Sequence, residues 1–101
     1  MEQFVCTLIV KEFPEQVKPG QTAVIEVAVE NPNATLGFVL LSVPEAGELL
    51  RLGKKDENLY RLTYTVPEYA PPGIYDVYLY ATGDNGTRTP SQRLSVRIMG
   101  V

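Results

Sequence analysis

The residues of this chain that could do chemistry are few, and their spacing groups them poorly. Of 101 residues, 12 are acidic and 9 basic, with no histidine, one cysteine and no tryptophan. Without histidine the commonest general base and the commonest zinc ligand are both missing, so no Ser-His-Asp or Cys-His site can be assembled. A lone cysteine builds neither a thiolate metal site nor an intrachain disulfide. Cys6 sits in the apolar run 4–10 and is expected to be a buried, inert thiol, with a reactive or intermolecular thiol as the alternative. No GxxxxGK[ST] or GxGxxG spacing is present to cradle phosphate. Two carboxylates could in principle hydrolyse a glycosidic bond, but these acids lie in turns or alternate outward along strands, where water solvates them. The expectation is a protein that is not an enzyme and uses no cofactor and no metal.

Two short segments imitate sites. Gly83-Asp84-Asn85-Gly86 offers oxygen ligands, yet one Asp and one Asn fall short of the several carboxylates that calcium gathers, whereas Asn-Gly is a strong hairpin signal. A turn is expected there. Asn33-Ala34-Thr35 and Asn85-Gly86-Thr87 match the N-glycosylation acceptor pattern, with residue types that turns use in any case.

The elements that must position any site are strands. In residues 60–66, Tyr60, Leu62, Tyr64 and Val66 share one face while Arg61, Thr63 and Thr65 share the other, the period-2 pattern of a half-buried strand. In residues 74–82, Tyr75, Val77, Leu79 and Ala81 alternate with Asp76, Tyr78, Tyr80 and Thr82, and the charged Asp76 marks the second set as outward. Between them three prolines and a glycine exclude both helix and ladder, leaving an irregular corner.

Further strands are expected over residues 4–10, closed by Lys11, Glu12 and Pro14, and over 22–30, after a type II turn centred on Pro19-Gly20. In the latter, Ala23, Ile25, Val27 and Val29 point inward and the glutamates outward. Residues 36–43 are apolar on both faces, so a strand there has something more than core against it or stays partly exposed. A short strand 48–52 is expected to pair with the 60–66 strand across a loop at 53–58. The last strand, near 92–99, places Leu94, Val96 and Ile98 inside and Arg93, Ser95 and Arg97 outside. No convincing helix, repeat or linker is found.

Seven short strands about ten residues apart, separated by turn signals, predict an all-β, antiparallel sandwich of two sheets. Pro19-Gly20-Gln21-Thr22, the strand ending Glu30-Asn31-Pro32, Tyr60-x-Leu-Thr-Tyr-Thr-Val-Pro67 and Pro72-Gly-Ile-Tyr-Asp-Val77 through Asp84-Asn-Gly86 together resemble bacterial and archaeal immunoglobulin-like, fibronectin-III-like modules. The resemblance spans about residues 17–98. It implies one immunoglobulin-like domain over 1–101, excised from a larger secreted or cell-surface protein, of the kind that serves as spacer, adhesion unit or glycan-binding appendage. Tyr75, two residues before Val77, resembles the tyrosine of the tyrosine corner. The chain departs from antibody domains in having no cysteine pair and no tryptophan, and no functional residue carries over.

Composition agrees with one folded domain. A chain of this length buries roughly two-thirds of its unfolded surface, and 45% hydrophobic residues argue against disorder. A net charge of −3 argues against a nucleic-acid surface or a polybasic membrane contact as the main role. The apolar runs are far shorter than the roughly 18–20 residues that span a bilayer, and no export signal is visible at the N-terminus. Pro14, Pro90 and nearby charges guard the outer edges against strand pairing, so a monomer is expected.

One face remains as a candidate site. If Tyr75, Val77 and Leu79 point inward, Tyr78 and Tyr80 stand together outside, flanked by Arg93 and Arg97 and by one apolar face of 36–43. This surface could cover the sheet through cross-strand pairing alone, contact a neighbouring domain or another protein, or stack on a glycan.

Overall fold

Alternating burial sets the elements. The computed structural model describes residues 3–100. Among them eight strands form: β1 (Thr7–Glu12), β2 (Gln16–Val17), β3 (Thr22–Glu30), β4 (Leu36–Val43), β5 (Glu48–Asp56), β6 (Leu59–Thr65), β7 (Gly73–Gly83) and β8 (Gln92–Ile98), with one 3-10 turn at Pro44–Ala46. In β3 the inward set Ala23, Ile25, Val27 and Val29 is buried, as its spacing requires. Ala28, assigned by alternation to the solvent side, is buried as well, because its small side chain lies between Ile9 on β1 and Leu59 on β6.

The strands hydrogen-bond in the order β1-β3-β6-β5-β4-β7-β8-β2, one ladder that curls over itself into two layers. β5 belongs to both. Its first half pairs with β4, placing Leu50 opposite Leu41, and its second half pairs with β6, placing Gly53 opposite Arg61. This corrects the expected short strand and the loop at 53–58. Gly-Lys-Lys-Asp reads as loop chemistry, yet the ladder with β6 continues through it and only Glu57 and Asn58 make the turn.

Two further corrections concern the N-terminal part. The first strand begins at Thr7 rather than at Phe4, because residues 4–6 are held by side chains instead of a ladder. Phe4 N–H donates to Thr87 Oγ1 at 2.7 Å and Val5 N–H to Asn33 Oδ1 at 2.9 Å. A two-residue strand, β2, then runs parallel to β8, with Arg97 N–H donating to Glu15 O and Met99 N–H to Val17 O, so the sandwich is not wholly antiparallel and the β8 edge is covered.

The interior holds two apolar clusters. The larger is built around Phe4, Val27, Val39 and Leu79, all fully buried. The smaller gathers Val17, Ala23, Val66 and Ile98, with Tyr64, Ala70, Tyr75 and Val96 against it. Burying each large apolar side chain contributes about 1.5–3 kcal/mol, and this drives the layers together. Gly83 is required by packing: a Cβ there would lie 2.7 Å from the Phe4 ring. Cys6 is half-buried against the larger cluster, and burial pushes its thiol up. The Pro19-Gly20 turn forms as expected, with Gly20 at φ +83° and Gln21 N–H donating to Lys18 O at 3.0 Å.

Candidate functional site

The pleat sets out the candidate face residue by residue. On β7, Ile74, Asp76, Tyr78, Tyr80 and Thr82 point away from the core, opposite Arg97, Ser95 and Arg93 on β8 and Ser42 and Leu40 on β4. Tyr78 lies directly between Arg93 and Ser42. Leu49 and Arg51 extend the face onto β5, opposite Ser42 and Leu40. All four residues expected at the site, Tyr78, Tyr80, Arg93 and Arg97, therefore share one surface.

Their exposure differs from the expectation. Tyr78 is half-buried, and Tyr80 is only 8% exposed, because the Arg88 guanidinium lies over its ring at 4.7 Å from the centroid. The pair is thus no open tyrosine platform. Arg88 reaches Tyr80 because the chain folds back after β7: Gly86 takes φ +87°, Gly83 N–H donates to Thr87 O, and Thr82 bridges Arg88. Thr89, the buried polar residue of this return, accepts Ala81 N–H at 3.1 Å through its hydroxyl. The Gly83–Gly86 segment is the turn expected, with Asn85 Oδ1 accepting from both the N–H and the hydroxyl of Thr87.

What the sequence reading missed on this face is aliphatic, aromatic and basic. Phe38 is 49% exposed, Leu49 60% and Ile74 60%, and Arg51 sits 5.1 Å from the Phe38 ring centroid. Four arginines, Arg51, Arg88, Arg93 and Arg97, meet one carboxylate, Asp76, whose Oδ1 lies 3.9 Å from Arg93 Nε and accepts Ser95 Oγ at 3.2 Å. Arg51, Arg88 and Arg97 form no ion pair with any described residue. Apolar runs on both faces of 36–43 were the available signal for Phe38. Nothing local announced Leu49 or Arg88.

A second feature lies between the layers. Where the first half of β5 pairs with β4 and stands apart from β6, the gap beside Glu48, Leu50, Tyr64 and Val66 opens into a cavity of about 300 Å³ lying between the two apolar clusters. Tyr64 O–H donates to Glu48 Oε2 at 2.8 Å across this gap; burial, then that hydrogen bond and the nearby negative charge, hold the phenol up to about 12. Tyr75 O–H donates to Pro71 O at 2.9 Å, the back-bond of a tyrosine corner, and fixes the 67–72 loop beside the cavity. Among the described residues no group of three or more His, Cys, Asp or Glu comes together, and no helix is long and apolar enough to cross a membrane.

No family model and no curated protein matches the sequence. Solved structures do resemble the fold. A fibronectin(III)-like module of Clostridium thermocellum CbhA aligns over 92% of this chain and 94% of its own, with a TM-score of 0.61 and 16% identity. The β-glucosidase of Listeria innocua aligns over 96% of this chain, with a TM-score of 0.55 and 13% identity; its complex with glucose gives 0.53 and 14%. This chain spans 16% of the glucosidase's length. The fold is thus the immunoglobulin-like sandwich of fibronectin(III)-like modules.

Proposed function

We propose that this domain is a non-catalytic structural and interaction module of a larger secreted or cell-surface protein, docking through the outer face of β4, β5, β7 and β8 onto a neighbouring domain or another protein. One observation carries the reading: Phe38, Leu49 and Ile74 stand exposed around Arg51, Arg88 and Arg97, which have no carboxylate partner among the described residues. Apolar anchors ringed by arginine are what protein contacts enrich. The occurrence of the same fold in a CbhA module and as a minor share of a glucosidase chain is consistent with an accessory role beside other domains.

A glycan platform built on Tyr78 and Tyr80 is the weaker reading, since sugar stacking needs an open ring face and Arg88 occupies that of Tyr80. Hydroxyl-radical footprinting compares the isolated domain with the whole gene product. Protection of Phe38, Leu49, Ile74 and Tyr78 in the larger protein is the expected result. Equal oxidation in both would remove the docking face.

A further inference from the structure

The cavity between the layers is separate from the docking face and has chemistry of its own. Its walls are apolar, with Ile25, Leu41, Leu50 and Val77 among them, and no lysine or arginine lines it. The formal charges that do line it are both negative: Glu45, exposed to solvent, and Glu48, half-buried at the gap between β5 and β6. Glu48 spends one oxygen on the Tyr64 hydroxyl and forms no ion pair with any described residue. Tyr64, held to Glu48 by its hydroxyl, and the exposed Tyr69 also line it.

We infer that this cavity binds a small organic cation, an ammonium on an aromatic or aliphatic body, with the body between the layers and the ammonium on Glu48. The size suits it. An apolar cavity of roughly 150 Å³ accepts a benzene ring, so about 300 Å³ accommodates about a dozen heavy atoms. The charge selects the head group, because a partly buried carboxylate without a cationic partner among the described residues favours an ammonium and disfavours a carboxylate. An acidic rim on a polar surface would carry no such meaning. Here the acids line an apolar chamber.

Three probes of one shape separate these contributions: tryptamine, tryptophol and indolepropionate, with cationic, neutral and anionic heads. The protein has no tryptophan, so the emission of a bound indole is read without background. Expected is a saturable blue shift with tryptamine, about fivefold tighter than tryptophol, the scale of one partly exposed charge pair, and weaker binding again for indolepropionate. Glu48→Gln brings tryptamine to the affinity of tryptophol and leaves tryptophol unchanged. Ala70→Phe, at a half-buried lining position, abolishes the shift with all three; Ala46→Phe, at an exposed lining position, replaces it if thermal unfolding shows Ala70→Phe to be poorly folded. No shift with any probe, equal affinity for the three heads, or undiminished binding in the folded blocking variant overturns the assignment.

Discussion

The two outer faces of the sandwich are built on the same pleat and answer the same demand, to keep a sheet wet on one side, in opposite ways. On the layer of β1, β3 and β6, the central carboxylate, Glu26, is paired with cations from β5 and β6. Glu26 accepts from Lys55 Nζ at 2.8 Å and lies 3.7 Å from Arg61 Nε, while Thr22 and Thr65 share a hydroxyl contact at 3.1 Å. On the layer of β4, β7 and β8, Arg51 and Arg88 rest on aromatic rings, Arg93 alone faces a carboxylate, and Arg51, Arg88 and Arg97 have no ion pair among the described residues, beside three large exposed apolar side chains. The first face pairs the charge at its centre; the second leaves three arginines unpaired among the described residues around exposed apolar side chains, and the proposed docking rests on that difference in how charge is satisfied more than on a count of aromatics.

Stability measurements can break this contrast. The largest effect is expected at Tyr80: although its position is outward, it is buried beneath Arg88, and Tyr80→Ala should cost about 3 kcal/mol in urea unfolding. Ile74→Ala, on the same face and strand, should stay within about 0.5 kcal/mol. Equal losses would show the whole face to be core. Gly83→Ala comes next, at about 1–3 kcal/mol, because the added methyl meets the Phe4 ring and shifts the return that lays Arg88 over Tyr80. Tyrosine fluorescence quenching by acrylamide should rise in that variant.

Much of this geometry was legible in the sequence, and the illegible part has one physical cause. The period-2 spacing of residues 60–66 and 74–82 fixes which side chains share a face, so Tyr78, Tyr80, Arg93 and Arg97 could be placed together before any coordinates. Tyr75 two residues before Val77 likewise announced its back-bond to Pro71. Exposure is different, because it depends on what another segment lays on top. Arg88 lies in what reads as loop, and only the turn through Gly86 brings it over Tyr80. The crossing of β5 was hidden for the same reason: Gly53 to Asp56 become strand through pairing with β6, against their local composition, while the cavity opens beside the other half of the strand, which pairs with β4.

Titration sharpens the contrast at both ends of the pH scale. Tyr64 has its pKa raised in the fold, so the protonated phenol is favoured by folding; its contribution is full below the ordinary tyrosine value near 10 and is lost as pH rises from there towards about 12. Tyr64→Phe should remove this alkaline limb from a plot of melting temperature against pH. Glu26 behaves in the opposite sense. Lys55 first, and Arg61 with it, lower its pKa, so its contribution is present above the usual glutamate value and is lost as pH falls through the lowered one. In Glu26→Gln that acid limb should flatten, with an effect at neutral pH that shrinks as salt is added. Arg88→Ala should cost about 0.5–1 kcal/mol with little response to salt, since stacking on a buried ring is screened less than an exposed ion pair.

The central claim, that the outer face of β4, β5, β7 and β8 is a docking surface, is tested most directly by the melting temperature of the domain alone and inside the whole polypeptide, with and without Phe38→Asp and Ile74→Asp together. A docked face stabilises the folded module, so the domain should melt higher in the whole protein than alone, and the double substitution should abolish that increment while leaving the isolated domain unchanged. An increment that survives both aspartates, or a module that melts identically in both settings, would contradict the account.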